Sequence, residues 1–113
     1  MRNMSFSLTT RQMRARSKTV TRRIGWWFLK PGDVVMAVEK GRGLKKGEKV
    51  KRIHAIRIIS TWEERLFCCD NVAEIEAEGF PGTSPVRFVQ DFCKQHRGCT
   101  ARTVVNRIKF EHL

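Results

Sequence analysis

The stretch from Val50 to Trp62 is the longest β-forming segment of the chain, rich in isoleucine and bounded by turn residues. Its alternation falters at Ile58-Ile59, which predicts a bulge or a strand buried on both faces. Strands dominate the middle of the chain around it. Ser5-Phe6-Ser7-Leu8 alternates as a short strand, Thr19 to Arg23 and Val34 to Val38 read as two more, and Val104 to Phe110 closes the chain as another. Helices are expected in three places. Thr9-Thr10 with Gln12 resembles an N-cap opening a short basic helix to about Arg16. Asp70 is placed as the cap of a helix from Asn71 to Glu78 that stops at Gly79, and Ser84-Pro85 opens a third helix with Val86, Val89, Phe92 and Cys93 as its apolar stripe. The order β-α-β-β-β-α-α-β fits an α+β fold, a curled sheet or small barrel with short helices over its ends.

Within that frame, Lys18-Thr19-Val20-Thr21-Arg22-Arg23 and Lys30-Pro31-Gly32-Asp33 concentrate cations, hydroxyls and a tight turn. Thr19 and Thr21, two apart on a strand, would face one side while Val20 turns into the core. Lys18 and Thr21 are three apart and meet only if the backbone bends near Lys18. Pro31 and Gly32 suit the central positions of a type II turn. The segment suits an anionic or nucleotide-like ligand, although threonine on a half-exposed basic strand is also explained by β-propensity alone. Gly41 to Gly47 is a basic loop whose glycines lack the spacing of a phosphate-binding loop.

Lys and Arg number 23 against 11 Asp and Glu, a net charge of +12. Such a field favours polyanions, nucleic acid foremost. One basic group lies near the N-terminus and includes Arg11, Arg14, Arg22 and Arg23; a second includes Lys45 and Lys46. If both flank the threonines in space, they would hold a phosphate backbone while Thr19 and Thr21 face a base or sugar and Trp26 or Trp27 stacks on the base. Arg11 sits at the positive end of its helix, a position eased by contact with an anion or by full exposure to water. At 113 residues the chain is expected to form one domain, residues 1–113, acting as a monomer. No apolar run approaches the roughly 20 residues that span a bilayer, no signal-peptide pattern opens the chain, and a cytoplasmic protein without membrane contact is expected. In that compartment Cys68, Cys69, Cys93 and Cys99 are expected as free thiols. Cys93-x5-Cys99 around His96 lacks the Cys-x2-Cys pairing of a zinc site, and neither metal nor cofactor is expected.

Lys18-Thr19-x-Thr21-x-Arg23, the Lys30-Pro31-Gly32-Asp33 turn into a strand, Glu78-Gly79-Phe80-Pro81 after a short helix and the closing Asn106-Arg107-Ile108-Lys109-Phe110 together resemble the ASCH family, small domains with the PUA-like β-barrel fold. The similarity spans nearly the whole chain and is strongest to short phage- or prophage-encoded members. It implies recognition of RNA or of a nucleoside. By resemblance to bacterial amidohydrolases of N(4)-acetylcytidine, it also implies Lys18, Thr21 and Glu78 as a catalytic set. Glu74 and Glu78 share a helical face, so either carboxylate fits the third position. Other members resemble ribonucleases or plain RNA-binding modules, and a phage factor binding host RNA or a host protein is a further reading.

Overall fold

The structure, a computed structural model, describes residues 1–113. Strands β1 (Asn3–Ser5), β2 (Val20–Arg23), β3 (Val34–Val38), β4 (Arg52–Arg65) and β5 (Val104–His112) form one sheet in the order β1-β3-β4-β5-β2. Only β1 and β3 run parallel; every other pair is antiparallel. Helices α1 (Thr10–Arg14), α2 (Val72–Ala77) and α3 (Pro85–Lys94) lie between strands, and a single 3-10 turn, Leu66–Cys68, follows β4. The α+β class and element order match the sequence reading. The barrel does not: β1 and β2 form the two edges of the sheet and share no backbone ladder. They are nonetheless close, because the Arg23 guanidinium on β2 donates through Nη2 to the Ser5 carbonyl on β1 at 2.6 Å and lies over the Phe6 ring at 4.7 Å. An arginine side chain fills the seam where strand pairing would close a barrel.

The bulge expected near Ile58-Ile59 is present. Ile58 pairs with Phe110 and Ser60 with Lys109, which leaves Ile59 as the extra residue and turns its side chain outward. A bulge bends its strand and increases local twist, so β4 can belong to the sheet along its whole length and still curl. The inside of the curl holds the main core: Met4, Val35, Ile56, Ile58, Ile108 and Phe110 from the strands and Phe6 just after β1, closed by Met13 of α1. A second, smaller core of Leu66, Cys69, Ile75, Phe88 and Val105 fastens α2 and α3 to the far end of β4 and β5.

Several local expectations shift by a few residues. The first strand is Asn3–Ser5 rather than Ser5 to Leu8, because the chain already turns there: Thr9 N–H donates to the Phe6 carbonyl at 3.1 Å. Asn71, not Asp70, caps α2, its side chain accepting from Glu74 N–H at 2.9 Å. Ser84 caps α3 as expected, but Val86 is 68% exposed and Phe88 is the residue α3 buries. Cys93 and Cys99, expected as free thiols, are paired with Cα atoms 4.9 Å apart, within the range a disulfide spans. Cys68 and Cys69 remain free. No helix is long and apolar enough to cross a membrane.

Candidate functional site

Lys18 leaves α1 and enters β2 under tight control. Thr19 N–H donates to the Ala77 carbonyl at 2.9 Å, Phe110 N–H donates to the Thr19 carbonyl at 3.0 Å, and His112 Nε2 bonds the Lys18 carbonyl at 2.6 Å. A carbonyl only accepts, so His112 carries its proton on Nε2, and its Nδ1 is left to accept from His54 Nε2, 2.6 Å away. Burial, then the neighbouring His112, Arg16 and Arg14, hold His54 below its usual pKa, which favours a neutral ring carrying its proton on Nε2.

Across from Lys18, α2 ends at Gly79. Its φ of +97° is one that glycine adopts without penalty, and a Cβ there would stand 3.3 Å from the Gln12 side chain and 3.5 Å from Lys18 Cβ. Gln12 Nε2 also donates to the Gly79 carbonyl at 2.9 Å. This close approach lays the end of α2 against the start of β2 and sets Glu78 on Lys18.

The resulting contacts are buried and ionic. Lys18 Nζ donates to Glu78 Oε1 at 3.1 Å and to the Glu78 carbonyl, with both residues 3% exposed. Arg22 Nη1 donates to Glu78 Oε2 at 3.0 Å, and the same guanidinium reaches Glu64 at 2.9 Å and Glu74 at 2.6 Å. Arg23 Nε donates to Thr21 Oγ1 at 3.0 Å. Burial lowers the Lys18 pKa against the opposing pull of Glu78, with Arg23 and Arg22 adding to the fall. Burial also takes Arg23 down to about 10, so it stays charged at neutral pH. Lys18, Thr21, Arg22, Arg23 and Glu78 line one cavity of about 510 Å³, a size that suits a small-molecule ligand. Ser5 at the end of β1 and Thr21 to Arg23 of β2 both line it, so it lies beside the seam between those strands.

The alternative carboxylate has a different setting. Glu74 accepts from Arg107 Nε at 2.6 Å and Nη2 at 3.0 Å as well as from Arg22, and it stands outside the cavity lining. The Arg107 bonds, reinforced by Arg22 and opposed by burial, hold it down to about 2. A carboxylate whose folded pKa lies below its unfolded value stabilises the fold above the unfolded pKa and loses that contribution as pH falls through the folded one. Glu74 is therefore expected to contribute about 1–2 kcal/mol at neutral pH, after allowance for solvent screening of its partly wet side chain. That contribution fades between about pH 4.5 and 2. Urea melts of wild type and Glu74→Gln should converge across this interval; a gap that stays constant with pH would refute the assignment.

The remaining sequence candidates lie elsewhere. Trp26 packs beside Phe28 with centroids 5.5 Å apart and against the main core, while Asn106 Nδ2 donates to its carbonyl at 3.0 Å. Arg11 and Arg14 are exposed on α1, with Arg14 paired to Glu39. Lys45 and Lys46 are exposed in the loop between β3 and β4, and Thr19 is partly buried just before β2. None of these six lines the cavity. Conversely, Phe80, Phe92 and His96 do line it, and sequence reading had assigned Phe92 to a core stripe and His96 to a weak metal pattern.

No family model matches the sequence, and no curated protein does. Solved structures share the fold, two of them as follows. A crystal structure of an ASCH domain from Lactobacillus crispatus JV V101 superposes with a TM-score of 0.57 at 12% identity, covering 98% of this chain and 79% of that one. A protein of the DUF984 family from Enterococcus faecalis V583 gives a TM-score of 0.57 at 13% identity over 95% of this chain and 71% of its own. The architecture is thus ASCH-like, in keeping with a PUA-like fold whose sheet here stays open at one seam.

Proposed function

We propose that the cavity binds a nucleoside and hydrolyses an amide carried on its base, N(4)-acetylcytidine being the substrate that the resembling amidohydrolases suggest, with Lys18, Thr21 and Glu78 as the reacting set. The observation that carries this reading is the burial of Lys18 on Glu78 in the same cavity as the Arg23-bonded hydroxyl of Thr21. Ammonium has three N–H groups. Lys18 uses two contacts on Glu78, so the neutral amine keeps both and turns its lone pair to the cavity. Burial favours that neutral form, and a base needs it.

In this mechanism Lys18 takes the Thr21 hydroxyl proton as Oγ1 bonds to the acyl carbon and the carbonyl electron pair moves onto oxygen. The lining holds more positive than negative charge, Lys18, Arg22, Arg23 and Lys94 against Glu78 and Asp91, a balance that stabilises an oxyanion. The C–N bond then breaks, and the exocyclic nitrogen leaves with the proton from Lys18. Water, deprotonated by Lys18, attacks the acyl-threonine; acetate departs and Thr21 regains its hydrogen. The net charge of +12 supports a second form of the same substrate, the modified base within RNA.

The test incubates the protein with N(4)-acetylcytidine, free and within a short single-stranded RNA, and follows cytidine and acetate by chromatography. Wild type is expected to turn over at least one form. Thr21→Val keeps the branched shape and removes only the hydroxyl, and it should lose that turnover by about 10²–10⁴-fold, as should Lys18→Ala. Absence of turnover on both forms sinks the hydrolytic reading.

A further inference from the structure

One wall of the cavity takes no part in this chemistry. The segment after α2 and the inner side of α3 place Phe80, Phe88, Phe92 and His96 along it. Ring centroids are 5.9 Å apart for Phe80 and Phe88, 6.3 Å for Phe88 and Phe92, and 4.4 Å for Phe92 and His96, whose planes lie within 19° of parallel. Phe80 stands at the reacting end, its ring centroid 5.8 Å from Lys18 Nζ. Core formation accounts for Phe88, which is buried in the second core. It does not account for His96, which lies beyond the last turn of α3.

The His96 ring is fixed in one tautomer by its neighbour. Its Nδ1 bonds the Phe92 carbonyl at 2.9 Å; a carbonyl only accepts, so Nδ1 carries the proton. In the neutral ring Nε2 is then an acceptor with no hydrogen-bond partner in the protein, on a residue that lines the cavity. An aromatic surface running from the reactive lysine to a free acceptor fits a ligand of matching layout: a planar ring at one end and a hydroxyl at the other. An aliphatic N-acyl amine offers neither.

We propose that Phe80, Phe92 and His96 are the specificity wall of the site, stacking the heteroaromatic ring of an N-acylated nucleoside while His96 Nε2 accepts a hydroxyl of its sugar. This rests on the reading of the cavity as a nucleoside site and adds that the base and the sugar, beyond the amide itself, select the substrate.

Binding to the Thr21→Val protein, which retains the wall and holds substrate uncleaved, separates recognition from chemistry. Calorimetric titrations with N(4)-acetylcytidine, N(4)-acetylcytosine and the amide of Nε-acetyl-lysine are expected to rank in that order, the nucleoside about fivefold tighter than its free base and at least about tenfold tighter than the aliphatic amide. Adding Phe92→Leu should weaken the nucleoside about tenfold and leave the acetyl-lysine amide unchanged, whereas Phe92→Tyr, which keeps a ring face, should retain affinity. Adding His96→Ala should erase the preference for nucleoside over base. Equal affinity for nucleoside and acetyl-lysine amide, no binding of the nucleoside, or loss of affinity in Phe92→Tyr as large as in Phe92→Leu would each overturn the wall. The chemistry stands or falls separately. Binding in this order by a wild type that releases no cytidine removes hydrolysis and keeps the wall. Turnover with a KM that Phe92→Leu leaves unmoved does the reverse.

Discussion

Glu78→Ala is expected to lower the unfolding free energy by about 3–5 kcal/mol, the range seen when one partner of a buried ion pair is removed. Two buried cations, Lys18 and Arg22, bond this carboxylate directly, and it opposes the lowering that burial imposes on the partly buried Arg23. Arg22 keeps Glu64 and Glu74 after the substitution, but Lys18 is left with only a backbone carbonyl. Because the Lys18 pKa is lowered on folding, the unfolded chain binds more protons between the folded value and the ordinary 10.5, and stability rises with pH through that window. Glu78 opposes the lowering, so removing Glu78 extends the window downward. Urea titrations should therefore show the loss shrinking as pH rises through the extended part of that window, where Lys18 has shed its proton in the folded variant and still holds it in the wild type. A loss below about 1 kcal/mol, or one indifferent to pH, would mean that Glu78 does not balance this cluster. Glu78→Gln, which keeps the volume, separates the charge effect from the cavity left by alanine.

The same cluster shows where sequence ceases to predict structure. Strand β3 ends where alternation and turn residues place it, Ile59 is the bulge its broken alternation suggested, and Gly79 ends α2, because each depends on residues adjacent in the chain. Whether the sheet closes depends instead on β1 and β2, far apart in the order of strands, and on a three-residue edge strand met by the Arg23 side chain. Nothing in the local pattern at Arg23 announces that contact. The choice of Phe88 over Val86 as the buried face of α3 has the same character, since it follows from how α3 meets the 3-10 turn after β4.

The cavity was legible in part through motif resemblance. Lys18 and Thr21 lie on one short segment and Glu78 follows a recognisable helix end, yet spacing alone left Glu74 and Glu78 equivalent. The structure separates the two by their contacts: Arg107, contributed by β5, engages Glu74, while Glu78 bonds Lys18 and Arg22 in the cavity. His112, which bonds the Lys18 carbonyl, is 94 residues from it in the chain. No periodicity links two such positions, and the same holds for the aromatic wall, whose rings read equally well as core.

Lys18→Met is expected to act in the opposite sense to Glu78→Ala on stability while abolishing turnover. Lys18 belongs to the cationic majority of the cluster, and its lowered pKa means that burial costs the charged form more than Glu78 returns. Methionine has a similar unbranched length and fills irregular space readily. Glu78 is not orphaned by the change, because Arg22 Nη1 still bonds Oε2, and only Oε1 and the Glu78 carbonyl lose a donor. The relief of a buried ammonium outweighs those losses, and a gain of about 1 kcal/mol is expected, at the low end of the 1–4 kcal/mol found when whole buried ion pairs give way to apolar side chains. The gain should be full below the folded pKa of Lys18, fade as pH rises from there toward the ordinary 10.5, and vanish above it, where the amine is neutral in both states. Denaturation midpoints at pH 6 and pH 10, together with the cytidine-release assay, decide the matter. A variant that is less stable than wild type at pH 6 would show that Lys18 holds the junction of β2 and α2 together; one that is more stable and inactive would show a lysine kept at the expense of stability for what its amine does in the cavity.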